Sequence, residues 1–171
     1  FQPANKQELI DKLNSNVMID GVEQSHTYYQ AYEESWYHTV PEKPCGDINT
    51  WDVILITNID GLFSGSFENP SIFNGDISKW DVSNVTIAYF MFSGASSFDQ
   101  DLSEWDVTSM TNMRNIFDNT SLSATNYDLI LYSWSQLSGL QSNVRFGGVG
   151  LEYCEGADGR TTLVDTYNWN I

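Results

Sequence analysis

The chain has 171 residues, 41% hydrophobic and 14% aromatic, enough for one packed domain and inconsistent with a disordered tail. Twenty-three acidic residues against seven basic ones leave a formal charge of −16, which excludes nucleic acid and anionic membrane surfaces as partners. No apolar run reaches transmembrane length and no signal peptide is visible.

From the N-terminus, Asn5-Lys6-Gln7-Glu8 reads as a capping box, and Leu9, Ile10, Leu13 and Val17 give its helix an apolar stripe. A weaker, tyrosine-rich helix is expected over roughly 27–40, ending near Pro41. Residues 1–45 are thus expected to form a helical N-terminal cap.

Residues 46–122 carry an internal repeat. Trp51-Asp52-Val53, Trp80-Asp81-Val82 and Trp105-Asp106-Val107 recur at spacings of 29 and 25 residues. Reading Glu68-Asn69-Pro70-Ser71 as a loop insertion restores a 25-residue period throughout. The tryptophans and valines then share columns with Ile48/Ile77/Leu102, Ile56/Val85/Met110, Ile59/Ala88/Met113, Leu62/Met91/Ile116 and Phe63/Phe92/Phe117. A period of this length marks units that bury their apolar faces by stacking. Within one unit, Trp80 and Val82 alternate around Asp81 as in a short strand, and Val85, Ala88, Met91 and Phe92 follow the face of a short helix. Thr57, Thr86 and Thr111 are the expected N-caps, and Gly65, Gly94 and Asn119 the expected left-handed residues at the helix end.

Residues 123–171 read as a mixed C-terminal cap. Ser123 caps a helix expected through about 137, with Tyr127, Ile130, Leu131 and Trp134 as its stripe. A strand near Val144-Arg145-Phe146, a helix near 159–167 and a last strand ending at Trp169 and Ile171 follow. The expected class is therefore α/β: a short leucine-rich-repeat-like solenoid of about three 25-residue coils with helical N-terminal and mixed C-terminal caps, one structural domain in all.

The segment from Phe73 to Thr86, Phe-Asn-Gly-Asp-Ile-Ser-Lys-Trp-Asp-Val-Ser-Asn-Val-Thr, resembles the bacterial-surface-protein repeat of the BspA-like and mycoplasma-lipoprotein type. Leu122 to Trp134 resembles the helix that closes such arrays, and Tyr153 to Ile171 their usual tail. The resemblance implies an exported protein, extracellular or at the cell surface, of adhesive or unknown role, with no shared catalytic residues. The chain departs from it at Ile54-Leu55, at Ile87 and in the insertion.

Candidate chemistry is sparse. Aspartates form two columns, Asp47/Asp76/Asp101 and Asp52/Asp81/Asp106, which either accept backbone N–H bonds at turns or hold calcium between coils. Calcium is the only cofactor in view. Cys45 and Cys154 are expected on opposite sides of three coils about 4.8 Å apart, farther than the reach of about 7 Å a disulfide allows, unless the tail folds back. His26 and His38 show no ligand or triad spacing, and nothing singles out a pair such as Glu33-Glu34 for glycoside hydrolysis. An enzyme is not expected. Asn84-Val85-Thr86 and Asn119-Thr120-Ser121 are sequons that turn geometry already explains.

The repeat rule breaks most sharply in the central unit. Ile87 replaces the asparagine seen at Asn58 and Asn112, and Tyr89-Phe90 stands where the other units carry Asp60-Gly61 and Arg114-Asn115. Ile87, Tyr89 and Phe90 are the candidate ligand-binding residues, able to stack on a sugar or anchor a protein; the competing reading packs them against the inserted loop. Ile54-Leu55 is expected to lie under the N-terminal cap. Tyr28, Tyr29, Tyr32, Trp36 and Tyr37 read as cap core. The expected function is non-catalytic surface recognition or adhesion toward a protein or glycan on a cell surface. A structural spacer or assembly module of a larger surface protein is one alternative, and a carbohydrate-binding module the other.

Overall fold

Each Trp-Asp-Val segment is a pair of turns. The N–H groups of Trp51, Trp80 and Trp105 donate to the carbonyls of Ile48, Ile77 and Leu102 at 3.1 Å, and Ile56, Val85 and Met110 donate back to Val53, Val82 and Val107. The aspartate between them closes an Asx turn. Asp52, Asp76, Asp81, Asp101 and Asp106 each accept the N–H two residues on, at 2.8–3.1 Å. One oxygen of each carboxylate is thereby held by the backbone, and among the described residues no three acids, cysteines or histidines gather to hold a metal ion. The computed structural model describes residues 2–15, 18–19, 22–23, 48–66, 68 and 70–171. The expected helix over 27–40, the tyrosine cluster, both histidines, Glu33-Glu34 and Cys45 lie outside the described residues. Cys154 is an exposed free thiol.

The described elements are α1 (Lys6–Ser15), the paired strands β1 (Met18–Ile19) and β2 (Val22–Glu23), a single 3-10 turn at Ile48–Thr50, β3 (Asn112–Met113), α2 (Ala124–Ser135), β4 (Arg145–Phe146) and α3 (Ala157–Tyr167). β1 and β2 are antiparallel, β3 and β4 parallel, each pairing an open two-stranded sheet. This content overturns the expected α/β class and its leucine-rich-repeat-like solenoid of strand-plus-helix coils. Three short helices, one 3-10 turn and strands of two residues are all the regular structure described, and no described residue between 51 and 123 is helical.

The physical reason lies in where the backbone donors point. Over the segment expected to be helical, the N–H groups of Ile59, Gly61, Phe63 and Gly65 reach the carbonyls of Ile87, Tyr89, Met91 and Ser93 in the next unit, at 2.7–2.9 Å. Ala88, Phe90, Phe92 and Gly94 do the same to Asn112, Arg114, Ile116 and Asp118. The donors between them close i→i−3 turns, as Leu62 does to Ile59 and Ser64 to Gly61. Alternate groups leave the unit, so no i→i−4 ladder forms. The threonine column is likewise not a helix cap: Thr86 donates from N and Oγ1 to the carbonyl of Thr57, and Thr111 repeats this toward Thr86. Gly94 and Asn119 are left-handed as expected, at φ 72° and 57°. Gly65 is not; it needs space, because a Cβ there would meet the Ser71 nitrogen at 2.0 Å.

The apolar columns form the core. Every repeat-column residue from Ile48 to Phe117 is at most 7% exposed. Phe63, Phe92 and Phe117 follow one another at 5.7–5.8 Å, and Phe73 and Phe98 stack beside them. Each buried indole ties one layer to the one before: Trp80 Nε1 donates to the carbonyl of Ile48 at 2.8 Å, and Trp105 Nε1 to that of Ile77 at 3.1 Å. Trp134 in α2 continues the series onto Leu102, and Trp169 onto Gln141. Leu55, by contrast, is 52% exposed and not covered as expected, while Ile54 is half-buried.

The end helices form where capping allows. Asn5 Oδ1 accepts the Glu8 N–H at 3.0 Å, while Glu8 reaches back to the N–H of Ala4 rather than Asn5, a capping box shifted by one residue. Ser123 caps α2 through the Asn126 N–H, and the predicted stripe of Tyr127, Ile130, Leu131 and Trp134 is buried. α3 has no side-chain cap of its own; Asp128 of α2 instead accepts the N–H groups of Cys154, Glu155 and Gly156 ahead of it. The last expected strand is a single bridge between Asn170 and Arg145.

Replacing Trp105 with Phe should cost about 3 kcal/mol, since it opens a cavity and leaves the buried Ile77 carbonyl unpaired. Denaturant unfolding measures it, and a cost under about 1 kcal/mol would show the indole bond to be dispensable. Asp99 supplies a pH test. Burial pushes its carboxyl up, but bonds from the N–H and Oγ of Ser123 and from Asn126 outweigh this and hold it below its ordinary value of 3.8. Its contribution is therefore complete above that value and lost as pH falls through the lower folded one. Relative to Asp99→Ala, the wild type should keep its stability advantage near pH 6 and lose most of it near pH 2, by thermal melts across about that range.

Candidate functional site

A continuous parallel ladder crosses one face of the molecule. Asn58 bridges Ile87, Ile87 bridges Asn112, Asn112 pairs with Arg145, and Arg145 bridges Asn170. Neighbours in such a ladder stand about 4.8 Å apart. The residues one step along, Ile59, Ala88 and Met113, are buried, so two steps along Asp60, Tyr89 and Arg114 form a second outward row. Bonds from Gly61 to Tyr89 and from Phe90 to Arg114 fix its register. The three sequence-predicted residues thus occupy the middle of this face. Ile87, Tyr89 and Phe90 are all half-buried, and the Tyr89 and Phe90 rings lie 4.0 Å apart at a tilt of 55°.

The backbone beneath this aromatic step is unusual. Gly61, Phe90 and Asn115 occupy equivalent positions and are all left-handed, at φ 61°, 55° and 57°. Glycine and asparagine tolerate that conformation; a phenylalanine does so only at a cost of about 1–2 kcal/mol. The central unit carries this strain where its neighbours avoid it.

On one side of the step, Lys6 of α1 binds Asp60 through both its carbonyl, at 2.5 Å, and Oδ1, at 2.6 Å. On the other side the face opens into a cleft of about 900 Å³, at the upper end of the range for small-ligand sites. Its walls come from the third unit (Arg114, Asn115), from β4 and the loop after it, from α3 (Arg160) and from the final segment around Asn170. Arg114, Arg145 and Arg160 are all the arginines of the chain. Among the described residues none of them pairs with a carboxylate, whereas Lys6 and Lys79 bind Asp60 and Glu104. Arg160 alone has a fixed position: its Nη2 donates to the Ile171 carbonyl at 2.9 Å, and it lies 5.8 Å from the Tyr153 ring centre.

Tyr127 lines the same cleft. It is 3% exposed, and its hydroxyl makes no hydrogen bond to the described residues. Burial pushes its pKa up to about 12 against the opposing pull of Arg160, so the group is a neutral donor at physiological pH. These cleft residues do not emerge from sequence reasoning, because 114, 127, 145 and 160 share no motif. The available signal was that an acidic chain has no arginine before residue 114.

Residues 31–147 match the family model described as a Mycoplasma protein of unknown function, DUF285. No curated protein and no solved structure matches the chain. Among the described residues no helix is long and apolar enough to cross a membrane. Since the match spans well over half of its length, the chain belongs to the DUF285 family.

Proposed function

We propose that this domain is a non-catalytic recognition module of an exported protein, working at or outside the cell surface and contacting a protein or glycan on a cell through the face centred on Ile87, Tyr89 and Phe90. The observation that carries the reading is Phe90. A bulky residue kept in the left-handed region, where the equivalent positions hold Gly61 and Asn115, marks strain retained for a purpose other than stability. A spacer would have no use for it. The half-buried Tyr89 ring beside it offers a flat apolar surface with a polar tip, the kind of group that anchors binding surfaces. The BspA-like character of residues 73–86 supports a surface role.

Phe90→Asn should therefore raise stability by up to about 1 kcal/mol, because it places a tolerant residue at a left-handed position. The same change should weaken attachment of the labelled domain to a panel of cultured cells. Calorimetric melts and flow cytometry read the two effects. A destabilised variant would instead assign Phe90 to packing. Tyr89→Ala should also reduce attachment without lowering the melting temperature by more than about 2 °C. Attachment that survives both substitutions would remove this face as the contact surface. A domain that attaches to no cell in the panel would remove the recognition role.

A further inference from the structure

The recognition reading leaves open what chemistry the adjoining cleft would take, and its arginines narrow that choice. A chain with 23 acidic residues has carboxylates in excess, and both lysines whose side chains are described have found one. The three arginines have not. A guanidinium offers a rigid planar fork of donors that fits a carboxylate or sulfate with two parallel hydrogen bonds, a match that an ammonium cannot make. Three such forks line one cleft: Arg160 is held by the Ile171 carbonyl, and Arg114 and Arg145 make no side-chain hydrogen bond or ion pair to the described residues, which leaves the cleft suited to an anionic group.

Tyr127 is a second and independent pointer. The Tyr127 side chain is 97% buried, but its hydroxyl oxygen keeps contact with solvent at the cleft and makes no hydrogen bond to the described residues, so it is available as a donor there. It is a neutral donor beside the cationic Arg160. The rest of the wall is rich in amides, from Asn143, Asn168 and Asn170, and carries the exposed Tyr153 ring. Amides and a ring face suit a hydroxylated ligand better than a peptide side chain. The net charge of −16 selects further: a polyanion would be repelled along its length, whereas one localised negative group meets chiefly the arginines nearest it.

We propose that the cleft bounded by Arg114, Arg145 and Arg160 binds the carboxylate of an acidic sugar, with the Tyr127 hydroxyl donating to the same ligand. This inference rests on the recognition reading for its biological meaning, though the binding itself does not. The adjoining Tyr89–Phe90 step would then meet the next part of the glycan.

Calorimetric titration of the whole domain with sialyllactose, a glucuronic-acid disaccharide and neutral lactose tests it directly. At least one acidic sugar should bind and lactose should not. Arg145→Gln should weaken that binding about tenfold or more with an unchanged melting temperature, since Arg145 is exposed and its side chain makes no hydrogen bond or ion pair to the described residues. Arg145→Lys should restore it only partly, because the fork is lost while the charge remains. Arg114→Gln is the second variant should the first disturb β4, and Tyr127→Phe should weaken binding without altering the core.

Equal binding of lactose would overturn the anionic specificity, and binding indifferent to both arginine variants would overturn the site. Silence toward both acidic sugars, with capture of a glutamate-bearing peptide instead, would overturn the ligand class. The two readings fail separately. Cell attachment without acidic-sugar binding overturns the cleft assignment alone. Sugar binding without cell attachment leaves the cleft standing and removes the surface role.

Discussion

The arrangement of this molecule depends on the buried indole N–H. A tryptophan inside a core must place its one polar hydrogen on an acceptor, or forfeit the full cost of desolvating it. Here the acceptor is a carbonyl of the preceding layer: Ile48 for Trp80, Ile77 for Trp105 and Leu102 for Trp134. Each bond spans two chain segments and lies within the apolar columns, so it fixes the order and the offset of the layers together. Extended strands and long helices become unnecessary once the register is set this way. Turns suffice, provided that alternate backbone donors find the next layer, as those of Ile59, Gly61, Phe63 and Gly65 do.

The same constraint explains why one part of the structure can be read from the sequence and another cannot. The apolar columns, the caps of α1 and α2 and the stripe Tyr127/Ile130/Leu131/Trp134 follow from residue type and spacing alone, and the structure buries the column and stripe residues wherever it describes them. The conformation between the columns does not follow. Apolar residues at i, i+3 and i+7 fit a helix, but they fit two successive i→i−3 turns equally well, and periodicity carries no information about where the N–H groups point. A clue was present in Gly61 and Asn115, residues that tolerate a left-handed backbone and recur at the middle of the supposed helix. Phe90 hid it by occupying that position in the central unit.

The proposed contact residues divide in the same manner. Ile87, Tyr89 and Phe90 stand out because they break a local repeat, a signal contained within a few residues. The arginines belong to three different elements and come together only when β4 pairs with β3 and α3 docks on α2 through Asp128. No window of the sequence contains them, so only the fold shows that they line one cleft. Their separation is also informative physically. Like charges gathered on one cleft repel one another, and an anion placed between them would offset that repulsion. The ladder Ile87–Asn112–Arg145 makes the two sites neighbours on one face, so an aromatic platform and a cationic cleft arise from a single register.

A strongly negative domain with a cationic cleft is not self-contradictory, because the two charges act over different distances. At physiological ionic strength the screening length is about 8 Å, so most of the carboxylates contribute little at any one point of the surface. Those of the repeat columns are held in Asx turns along the outer edge of the units. Inside the cleft an anion at about 4 Å from a guanidinium gains several times what bulk water would allow. On the proposed reading, a compact ligand with one charge would be governed by the arginines, while an extended polyanion would meet the whole field and be repelled. Net charge would then act as a filter on ligand size and charge density, with the arginines setting the docking point.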